Sequence, residues 1–362
     1  MTPNGPIKVI QWGTGNAGRH ALRAIIERPD LELVGVHAWS RDKVGRDAAD
    51  LCGLTTPTGV IATDDIDALL ASEADCVSYM GQGESQPTQT LDDLARCLAA
   101  GKNVVNTALV FLVDPPSIPA SIRDALERAC HDGGSTLFTS GIDPGWSGDV
   151  LPVALAGASE WVDSIHVTEI MDYSTYPDPD LTGAVFGFGR PLDVEARLFT
   201  SGAIEGGWGG MCHLLGRAIG ASIDELQVDH ERWPAPDTFD TAMGLIEKGT
   251  CAGVWFEVRA LERGVVRVVA AHVNRLRGDI GPHWPALSDD RSGYRIDVRG
   301  TPAYTCEIEL HGPSGDHTEG GIIATAMRLV NAIPAVCAAA PGLVSPLDLP
   351  LFAGPARPLT DA

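Results

Sequence analysis

The sequence has 362 residues, of which 44% are hydrophobic, and a formal net charge of -22 at pH 7. This length allows a full hydrophobic core divided between two domains. The acidic balance and the lack of a Lys/Arg cluster argue against nucleic acid or an anionic membrane as a partner, because phosphate groups would be repelled.

Apolar runs alternate with helical patterns over the first part of the chain, which we assign to a domain at residues 1–142. The predicted strands are IKVIQW, LELVGVHAW, GVIAT, DCVSYM, NVVNT and STLFTS. We predict that the first helix begins with Asn16 as its cap and stops at Pro29, and that a later helix ends at Gly101. This order is typical of βαβ units and predicts an α/β doubly wound parallel sheet.

The pattern changes from about residue 160, where longer β-rich stretches such as GVWFEVRALERGVVRVVAAHVNRL are mixed with isolated helices. We therefore predict a second, α+β domain at residues 143–316. Residues 317–362 contain a helical segment and a tail, which we expect to pack back on the first domain. No internal repeat is evident.

A glycine-rich turn, IKVIQWGTGNAGRHALRAII, separates the first predicted strand from the first predicted helix. Gly13, Gly15 and Gly18 have the spacing G-x-G-x-x-G, which in a Rossmann domain places the pyrophosphate of a dinucleotide at a helix N-terminus. The alternative is an ordinary turn. The strand-turn-helix context favours dinucleotide binding, and the predicted contacts are Gly13, Thr14, Gly15, Asn16, Ala17 and Gly18.

The end of the second strand decides which dinucleotide is bound. An NAD-selective site usually has an acid there, whereas this chain has Ser40, Arg41 and Lys43. A hydroxyl and two cations suit a 2'-phosphate, so we predict NADP. Two alternatives remain: these cations are solvated loop charges, or Asp42 beside them serves NAD.

The carboxyl ends of the fourth and fifth strands form the edge at which open α/β sheets bind ligands. Gly81, Gln82, Asn106 and Thr107 are therefore candidates for contacts with the ribose and nicotinamide. The alternative for these glycines is a simple role in turns.

Four segments together carry a resemblance to a known family: GTGNAG, TSGIDPGWSGDVLP, GFGRPL and ATAMRLVNAIPAVCAAAPGLVSPLDLP. The chain resembles the dihydrodipicolinate-reductase-like proteins, which include 2,4-diaminopentanoate dehydrogenase and native amine dehydrogenases. The resemblance covers nearly the whole chain. It implies a Rossmann domain, a second domain that forms the substrate pocket and often a dimer interface, and NAD(P)-dependent chemistry at a C–N or C=O centre.

Two departures from the family limit the reaction. The double histidine, the lysine and the Asp-Ala-Pro-Ser-Gly-Thr run of the lysine-pathway reductases are absent, which argues against that reaction. Amine dehydrogenases of the related group carry a glutamate after the fifth strand, where Ala108 or Leu109 stands here. Reductive amination with free ammonia is therefore disfavoured unless another carboxylate reaches the same space.

Candidates for a proton-handling group lie in HVTEIMDYSTY. Strand alternation places Glu169 and Tyr173 on one face and Asp172 on the other. We prefer Glu169 with Tyr173, because the resemblance puts substrate-lining aromatics in this strand; Asp172 with Tyr176 is the alternative. For any single acid here, a structural ion pair or a surface position is the more common role.

Two further residues are assigned to the predicted substrate pocket with Ala108, Leu109 and Tyr176. Trp146, in GIDPGW, is placed near the nicotinamide, and its alternative role is a core anchor. His213 would lie on a helix among apolar residues, where a hydrogen-bonded core histidine is the more common role.

The eight cysteines are scattered without a C-x-x-C pair, so neither a zinc site nor a disulfide framework is predicted. No leader pattern and no apolar run of bilayer-spanning length is evident. We expect a cytoplasmic, homodimeric NAD(P)H-dependent oxidoreductase that acts on a small carbonyl, imine or amine. The alternatives are a true amine dehydrogenase and a non-catalytic NADP(H)-binding regulator.

Overall fold

The computed structural model describes residues 5–81, 83–176, 178–288 and 291–357. The chain divides into two compact units, the first formed by Met1–Gly141 with Ile322–Ala362 and the second by Ile142–Gly321. The division falls near the sequence-based boundaries at residues 143 and 317.

The first unit is built on a seven-stranded sheet in which all strand pairs are parallel. Its strands are Ile7–Trp12 (β1), Leu31–His37 (β2), Ala62–Thr63 (β3), Cys76–Tyr79 (β4), Asn103–Asn106 (β5), Thr136–Thr139 (β6) and Gly342–Val344 (β15). The strand order is β15-β6-β5-β4-β1-β2-β3. The predicted Rossmann sheet is confirmed, and β15, which pairs with β6, is a strand that the sequence patterns did not indicate.

Helices connect the strands of this sheet. They are Asn16–Glu27 (α1), Ala48–Cys52 (α2), Ile66–Leu70 (α3), Pro87–Ala99 (α4) and Ala120–Gly133 (α5), with short 3₁₀ turns at Gly83–Ser85, Val110–Val113 and Pro115–Ser117. The prediction that Asn16 caps the first helix is wrong by one residue. Gly15 is the N-cap, and no side chain caps this helix end.

The long helix His317–Cys337 (α8) is apolar and long enough to cross a membrane by length and composition alone, with a mean hydropathy of 1.5. The expectation that no apolar run has this length is therefore wrong. A core helix meets the same criterion. Leu329, Val330 and Ile333 are fully buried in a core cluster that also contains Val9 and Phe138 of the first unit's sheet, so α8 packs as a core helix.

The second unit contains a six-stranded mixed sheet with the order β14-β13-β7-β12-β11-β8. Its strands are Trp161–Asp172 (β7), Glu225–Pro234 (β8), Cys251–Glu262 (β11), Val265–Arg275 (β12), Gly293–Thr301 (β13) and Tyr304–Ile308 (β14). The two remaining strands form a hairpin, Phe239–Thr241 (β9) with Gly244–Ile246 (β10). Its α-helices are Leu151–Ala156 (α6) and Ala203–Ala218 (α7), and π-helical turns occur at Trp146–Val150 and Asp180–Phe186.

The order of strands and helices confirms the predicted α+β character of this unit. Strand β7 is its central element because it pairs with β12 in parallel and with β13 in antiparallel orientation. One face of the sheet carries the core: Ile165 and Val167 of β7 are fully buried there, together with Met211 and Leu215 of α7. Side chains that follow the same alternation as Val167 therefore point into the core under α7.

Candidate active site

The glycine turn of the first unit has the geometry that its spacing predicts. Gly13 has a positive φ of +91°, and a Cβ atom there would lie 2.7 Å from the carbonyl oxygen of Met80. A Cβ atom on Gly18 would lie 2.2 Å from the carbonyl oxygen of Gly13. A Cβ atom on Gly15 would meet nothing within 4 Å. Packing therefore requires glycine at the first and third positions, while the second faces open space at the uncapped end of α1, where a phosphate fits.

The segment after β2 lies beside this turn. The Lys43 ammonium group donates a hydrogen bond of 3.0 Å to the carbonyl oxygen of Thr14, inside the glycine turn. Arg41 is exposed, and the Ser40 hydroxyl donates to the Asp42 carboxylate. This hydrogen bond lowers the pKa of Asp42. The turn thus has one cation, Lys43, at its edge, and the acid Asp42 is already engaged by a hydroxyl.

A pocket of about 200 Å³ lies near the ends of β2 and β4 in the first unit. Its lining residues are Trp39, Tyr79, Gln86, Gln89, Thr90 and Asp93. The Trp39 ring would approach within 3.3 Å of a Cβ atom on Gly13, so the pocket adjoins the glycine turn. An aromatic wall with amide groups beside it suits a planar base.

The predicted contacts at the ends of β4 and β5 lie as follows. Asn106 is buried; its Oδ1 accepts a 2.8 Å hydrogen bond from the Ala108 N–H, and its Nδ2 donates to Thr139 at 3.1 Å. Gly81 and Thr107 are half-buried. Gln82 lies outside the described residues. Their contacts with a cofactor stay predictions.

Ala108 and Leu109 are core residues of the first unit. Ala108 is 4% exposed and Leu109 is 0% exposed, and both belong to the apolar cluster under β4 and β5. Their assignment to a substrate pocket stays a prediction. An unpaired charge at either position would be costly in such a core.

In the second unit, the strand register places four side chains in a row across the sheet. Phe256 of β11 pairs with His272 of β12, His272 pairs with Glu169 of β7, and Glu169 pairs with Tyr294 of β13. Helix α7 covers the row with Trp208, whose ring centroid is 4.6 Å from that of His272. The imidazole is stacked on Phe256 at 4.6 Å with an interplanar angle of 6°.

Glu169 is buried at the centre of this row and accepts hydrogen bonds at both oxygens. Oε1 accepts from Asn274 at 2.9 Å and lies 3.3 Å from Nδ1 of His272, and Oε2 accepts from the Tyr294 hydroxyl at 3.1 Å. The Tyr173 phenol also interacts with this carboxylate. Charged partners and donors of this kind are what a buried carboxylate needs to remain ionised.

A second buried acid, Asp143, lies on the other side of the imidazole. Its side chain is 1% exposed, and one of its carboxylate oxygens is 3.7 Å from Nε2 of His272. Within the described chain, neither oxygen of Asp143 has a partner at hydrogen-bonding geometry. Asp143, His272 and Glu169, which we call the buried triad, thus form a continuous line of ionisable groups inside the second unit.

The environment of the buried triad raises the pKa of Asp143 and of His272 and lowers the pKa of Glu169. Burial raises the pKa of Asp143 to about 7, against the opposing attraction of His272. Burial also disfavours the charged forms of Glu169 and His272. For Glu169, the attraction of His272 and the hydrogen bonds that the carboxylate accepts prevail, so its pKa is lowered. For His272, the attraction of Asp143 and then of Glu169 prevails, so its pKa is raised.

Tyr173 and Tyr294 complete the surroundings of Glu169. Burial, followed by the charge of Glu169, raises the pKa of both phenols well above the ordinary value. The Tyr173 ring packs on Phe186 at 5.2 Å and on Tyr176 at 5.5 Å. Both phenols therefore keep their protons at neutral pH and serve as donors.

The other candidates of the second unit lie apart from the triad. The Asp172 carboxylate accepts from the Ser174 N–H at 2.7 Å, which is the contact of a local turn, and its carbonyl accepts from His317 at 2.6 Å. Trp146 is half-buried at the start of a π-helical turn, and His213 is half-buried on α7. His213 is five residues from Trp208, about 140° around the helix, so it points to another side.

Three partners of Glu169 were not predicted from the sequence: His272, Asn274 and Tyr294. They are more than 100 positions away along the chain, and only strand pairing brings them together. Asp143 lies in the DPGW segment that carries the family resemblance, but we had not assigned it a chemical role. The available signal was the polar pair His272 and Asn274 within an otherwise apolar strand, since two such residues at an i, i+2 spacing share one face.

The spacing of the buried triad also falls within the range of a metal site, because one ligand atom from each residue lies within 4.8 Å of the others. The contacts favour a proton network instead. Both oxygens of Glu169 already accept hydrogen bonds, from Asn274 and Tyr294, so a metal would have to share this carboxylate with two donors.

The comparisons with known proteins agree with this architecture. Residues 147–357 match the family described as the 2,4-diaminopentanoate dehydrogenase C-terminal domain. An amine dehydrogenase of Streptomyces virginiae is 38% identical over 347 residues, which cover 95% of this chain and 96% of that protein. A 2,4-diaminopentanoate dehydrogenase of Acetoanaerobium sticklandii is 22% identical and covers 95% of this chain and 94% of its own length.

The chain belongs to the 2,4-diaminopentanoate dehydrogenase and amine dehydrogenase family. The predicted resemblance is thereby confirmed, and the protein is an NAD(P)-dependent dehydrogenase. Among solved structures, the amine dehydrogenase from Mycobacterium smegmatis matches with a TM-score of 0.76 at 18% identity, covering 96% of this chain and 97% of that one. At this identity the match supports the shared fold alone.

The glycine turn allows a test that separates binding from folding. Gly15→Val adds a side chain in open space, so the variant should keep the wild-type unfolding temperature and lose binding of NADPH and NADH. Gly18→Ala forces a methyl group against the carbonyl oxygen of Gly13 and should lower the free energy of unfolding by about 1–3 kcal/mol. Thermal unfolding and nicotinamide fluorescence titration measure the two effects. Normal cofactor affinity in a folded Gly15→Val variant would contradict the assignment of the turn.

Proposed function

We propose that this protein uses NADPH to reduce a small imine or carbonyl compound and catalyses the reverse oxidation of the corresponding amine or alcohol. The observation that carries the proposal is the buried Glu169 carboxylate, held ionised among His272, Asn274 and Tyr294 with Tyr173 beside it. A buried, fully engaged acid next to protonated phenols is a typical proton-handling group. The similarity to proteins named amine dehydrogenase and 2,4-diaminopentanoate dehydrogenase supports a C–N centre.

Three features of the first unit suit a dinucleotide: the glycine turn, the cations after β2 and the pocket beside Trp39. The backbone amides at the start of α1 would take the pyrophosphate, and the pocket beside Trp39 would take the adenine. Arg41 and Lys43 would hold the 2'-phosphate, with Lys43 already directed to Thr14 in the turn. Bound nicotinamide supplies the hydride.

The second unit supplies the proton. Tyr173 keeps its proton at neutral pH, so it can donate to the substrate oxygen or nitrogen as the hydride arrives at carbon. The phenolate left on Tyr173 must then regain a proton, and Glu169, which interacts with this phenol, is the group through which that proton returns, while Tyr294 and Asn274 keep the carboxylate in place. In the direction of oxidation the same residues accept the proton.

A preformed imine is the preferred nitrogen substrate. The related amine dehydrogenases have a glutamate where this chain has the buried Ala108 and Leu109, so the first unit offers no carboxylate there for ammonium. Glu169 and Asp143 are the buried acids that would take over this role if free ammonia is used. The alternative of a non-catalytic NADP(H)-binding regulator is disfavoured by the buried triad, which has no role in binding a nucleotide.

We also infer a cytoplasmic homodimer. The eight free cysteines and the net charge of -22 support an intracellular protein that avoids nucleic acid and anionic membranes. In the second unit, α6 and α7 pack on one face of the sheet. By strand alternation, the opposite face carries the half-buried side chains of Trp255, Glu257 and Arg295. This second face is the surface through which we propose that two copies pair.

Cofactor preference tests the assignment of the two cations. Arg41→Ala should weaken NADPH binding by about 1.5–3 kcal/mol, the contribution of a charge-assisted hydrogen bond, and leave NADH nearly unchanged. Arg123→Ala is the matched control, because Arg123 is an arginine on α5 paired with Asp124. Dissociation constants from fluorescence titration measure the effect. Equal losses for the two cofactors in Arg41→Ala would show that this residue does not face the 2'-phosphate.

Turnover tests the reaction itself. With NADPH, the wild type should reduce a preformed cyclic imine faster than it converts a ketone in ammonium buffer, and Glu169→Gln should lower both rates by about 10²–10⁴-fold with cofactor affinity unchanged. Asp163→Asn, which removes an exposed carboxylate from the same strand, should keep wild-type turnover. Nicotinamide absorbance and product analysis give the rates. Binding of NADPH without turnover on any imine, ketone or amine would favour the regulator, and full activity of Glu169→Gln would refute its assignment.

A further inference from the structure

The proton chemistry proposed for Tyr173 and Glu169 lacks a source for the second proton. After Tyr173 donates, its oxygen needs a proton again, and the neighbouring Glu169 is held ionised by its partners and has none to give. The nearest proton carrier is the imidazole of His272, whose Nδ1 is 3.3 Å from Oε1 of Glu169. Asp143 follows on the far side of the ring, with 3.7 Å between its carboxylate and Nε2.

The orientation of the His272 ring is fixed by packing. Phe256 stacks on one face at 4.6 Å, and Trp208 contacts the ring edge-on at 4.6 Å. The side chain is 3% exposed, so water has little access to either nitrogen. Each nitrogen is therefore directed at a different carboxylate: Nδ1 faces Glu169 and Nε2 faces Asp143.

We propose that Asp143 and His272 form an internal proton store that recharges Glu169, and through it Tyr173, after each reduction. The inference rests on the proposed function. Asp143 is a positioning and proton-holding residue, because it acts on the substrate only through His272 and Glu169.

The transfer balances with one mobile proton. In the loaded state the Asp143 carboxyl holds the proton, Nε2 of His272 is free, and Nδ1 carries its hydrogen. The O–H bond of Asp143 breaks as the Nε2–H bond forms, and the Nδ1–H bond breaks as the O–H bond of Glu169 forms. Glu169 then gives this proton to the phenolate of Tyr173. Asp143 is left ionised and is reloaded from water, and no oxidant or reductant is involved.

The groups that face Asp143 come from several elements. They are His272 on β12, Glu169 on β7, Tyr173 directly after β7, Tyr294 on β13, and Cys212 and Trp208 on α7, of which Trp208 lowers the pKa of Asp143. His272 is the one basic group in this set, so two carboxylates share one imidazole in a buried site. Burial and the nearby Glu169 favour the protonated form of Asp143, which agrees with a store that loads and unloads near neutral pH.

The test is the pH dependence of kcat for multiple-turnover reduction by the full-length enzyme, followed by nicotinamide absorbance, because the store acts only after the first reduction. In the wild type, the rate should be high below and fall above about pH 7, because the store is empty at high pH. Asp143→Asn should lose this fall and react about 10- to 100-fold more slowly at pH 6. His272→Gln keeps an amide that can hydrogen-bond to Glu169 but cannot pass a proton, so it should show the same loss in kcat with little change in KM.

A second measurement depends on stability rather than on activity. The folded-state pKa of Asp143 lies above that of an unfolded aspartate, so the stability it contributes is present at low pH and is lost as the pH rises from about 4 to 7. The unfolding temperature of the wild type should fall relative to that of Asp143→Asn across this window. Asp163→Asn, with an exposed carboxylate, is the control and should follow the wild type.

The outcomes distinguish failure of the proposed function from failure of the proton store. Full activity of Glu169→Gln refutes the proposed function. If Glu169→Gln is inactive but Asp143→Asn or His272→Gln keeps the wild-type pH profile, the proton store is refuted and the proposed function stands. Either of these two variants is sufficient if the other does not fold. Loss of activity with a chelator and its recovery with a divalent cation would also overturn the store, because the triad would then hold a metal.

Discussion

Burial of the Glu169 carboxylate is the constraint on which the chemistry of the second unit depends. An ionised carboxylate inside a protein must be surrounded by donors and by opposite charge, or it takes up a proton. Here three strands supply these groups: His272 and Asn274 from β12 and Tyr294 from β13, with β7 between them. A shift of β7 by one residue relative to its neighbours would turn Glu169 to the other face and leave His272 and Tyr294 without their acceptor. The strand register of this sheet therefore determines whether its buried charges are paired.

The sequence predicts the first unit better than the second, for a physical reason. In the Rossmann unit the signals are local: a strand, a glycine turn and a helix follow one another within twenty residues, and each restricts the next. The feature of this unit that the sequence does not predict is a long-range strand pairing. Strand β15 comes from the C-terminal segment and pairs with β6 some two hundred positions earlier, so no pattern around Gly342 reveals it.

In the second unit, strand alternation correctly separates Glu169 from Asp172, but alternation alone cannot tell which face is the core. The partners of Glu169 decide that question, and they lie on other strands. His272 has a polar neighbour, Asn274, on the same face of its strand, but no local pattern shows that two acids flank its ring. Asp143 belongs to the segment that carries the family resemblance, and no local pattern gives it a chemical role. In each case the chemical role follows from tertiary contacts that a linear reading does not contain.

Burial has different consequences at two places in the chain. Ala108 and Leu109 fill the apolar core under β4 and β5, where a buried glutamate would need a cation or a hydrogen-bond donor beside it to remain ionised. Glu169 and Asp143 have such partners because His272 lies between them and is held in place by Phe256 and Trp208. Two acids with one shared cation differ from one acid in a useful way: the arrangement can keep one carboxylate ionised and the other protonated at the same pH. Replacing the imidazole of His272 would therefore affect both the ionised state of Glu169 and the protonated state of Asp143, whereas replacing either acid would remove one. His272 is thus the residue that most directly links the packing of this core to its proton chemistry.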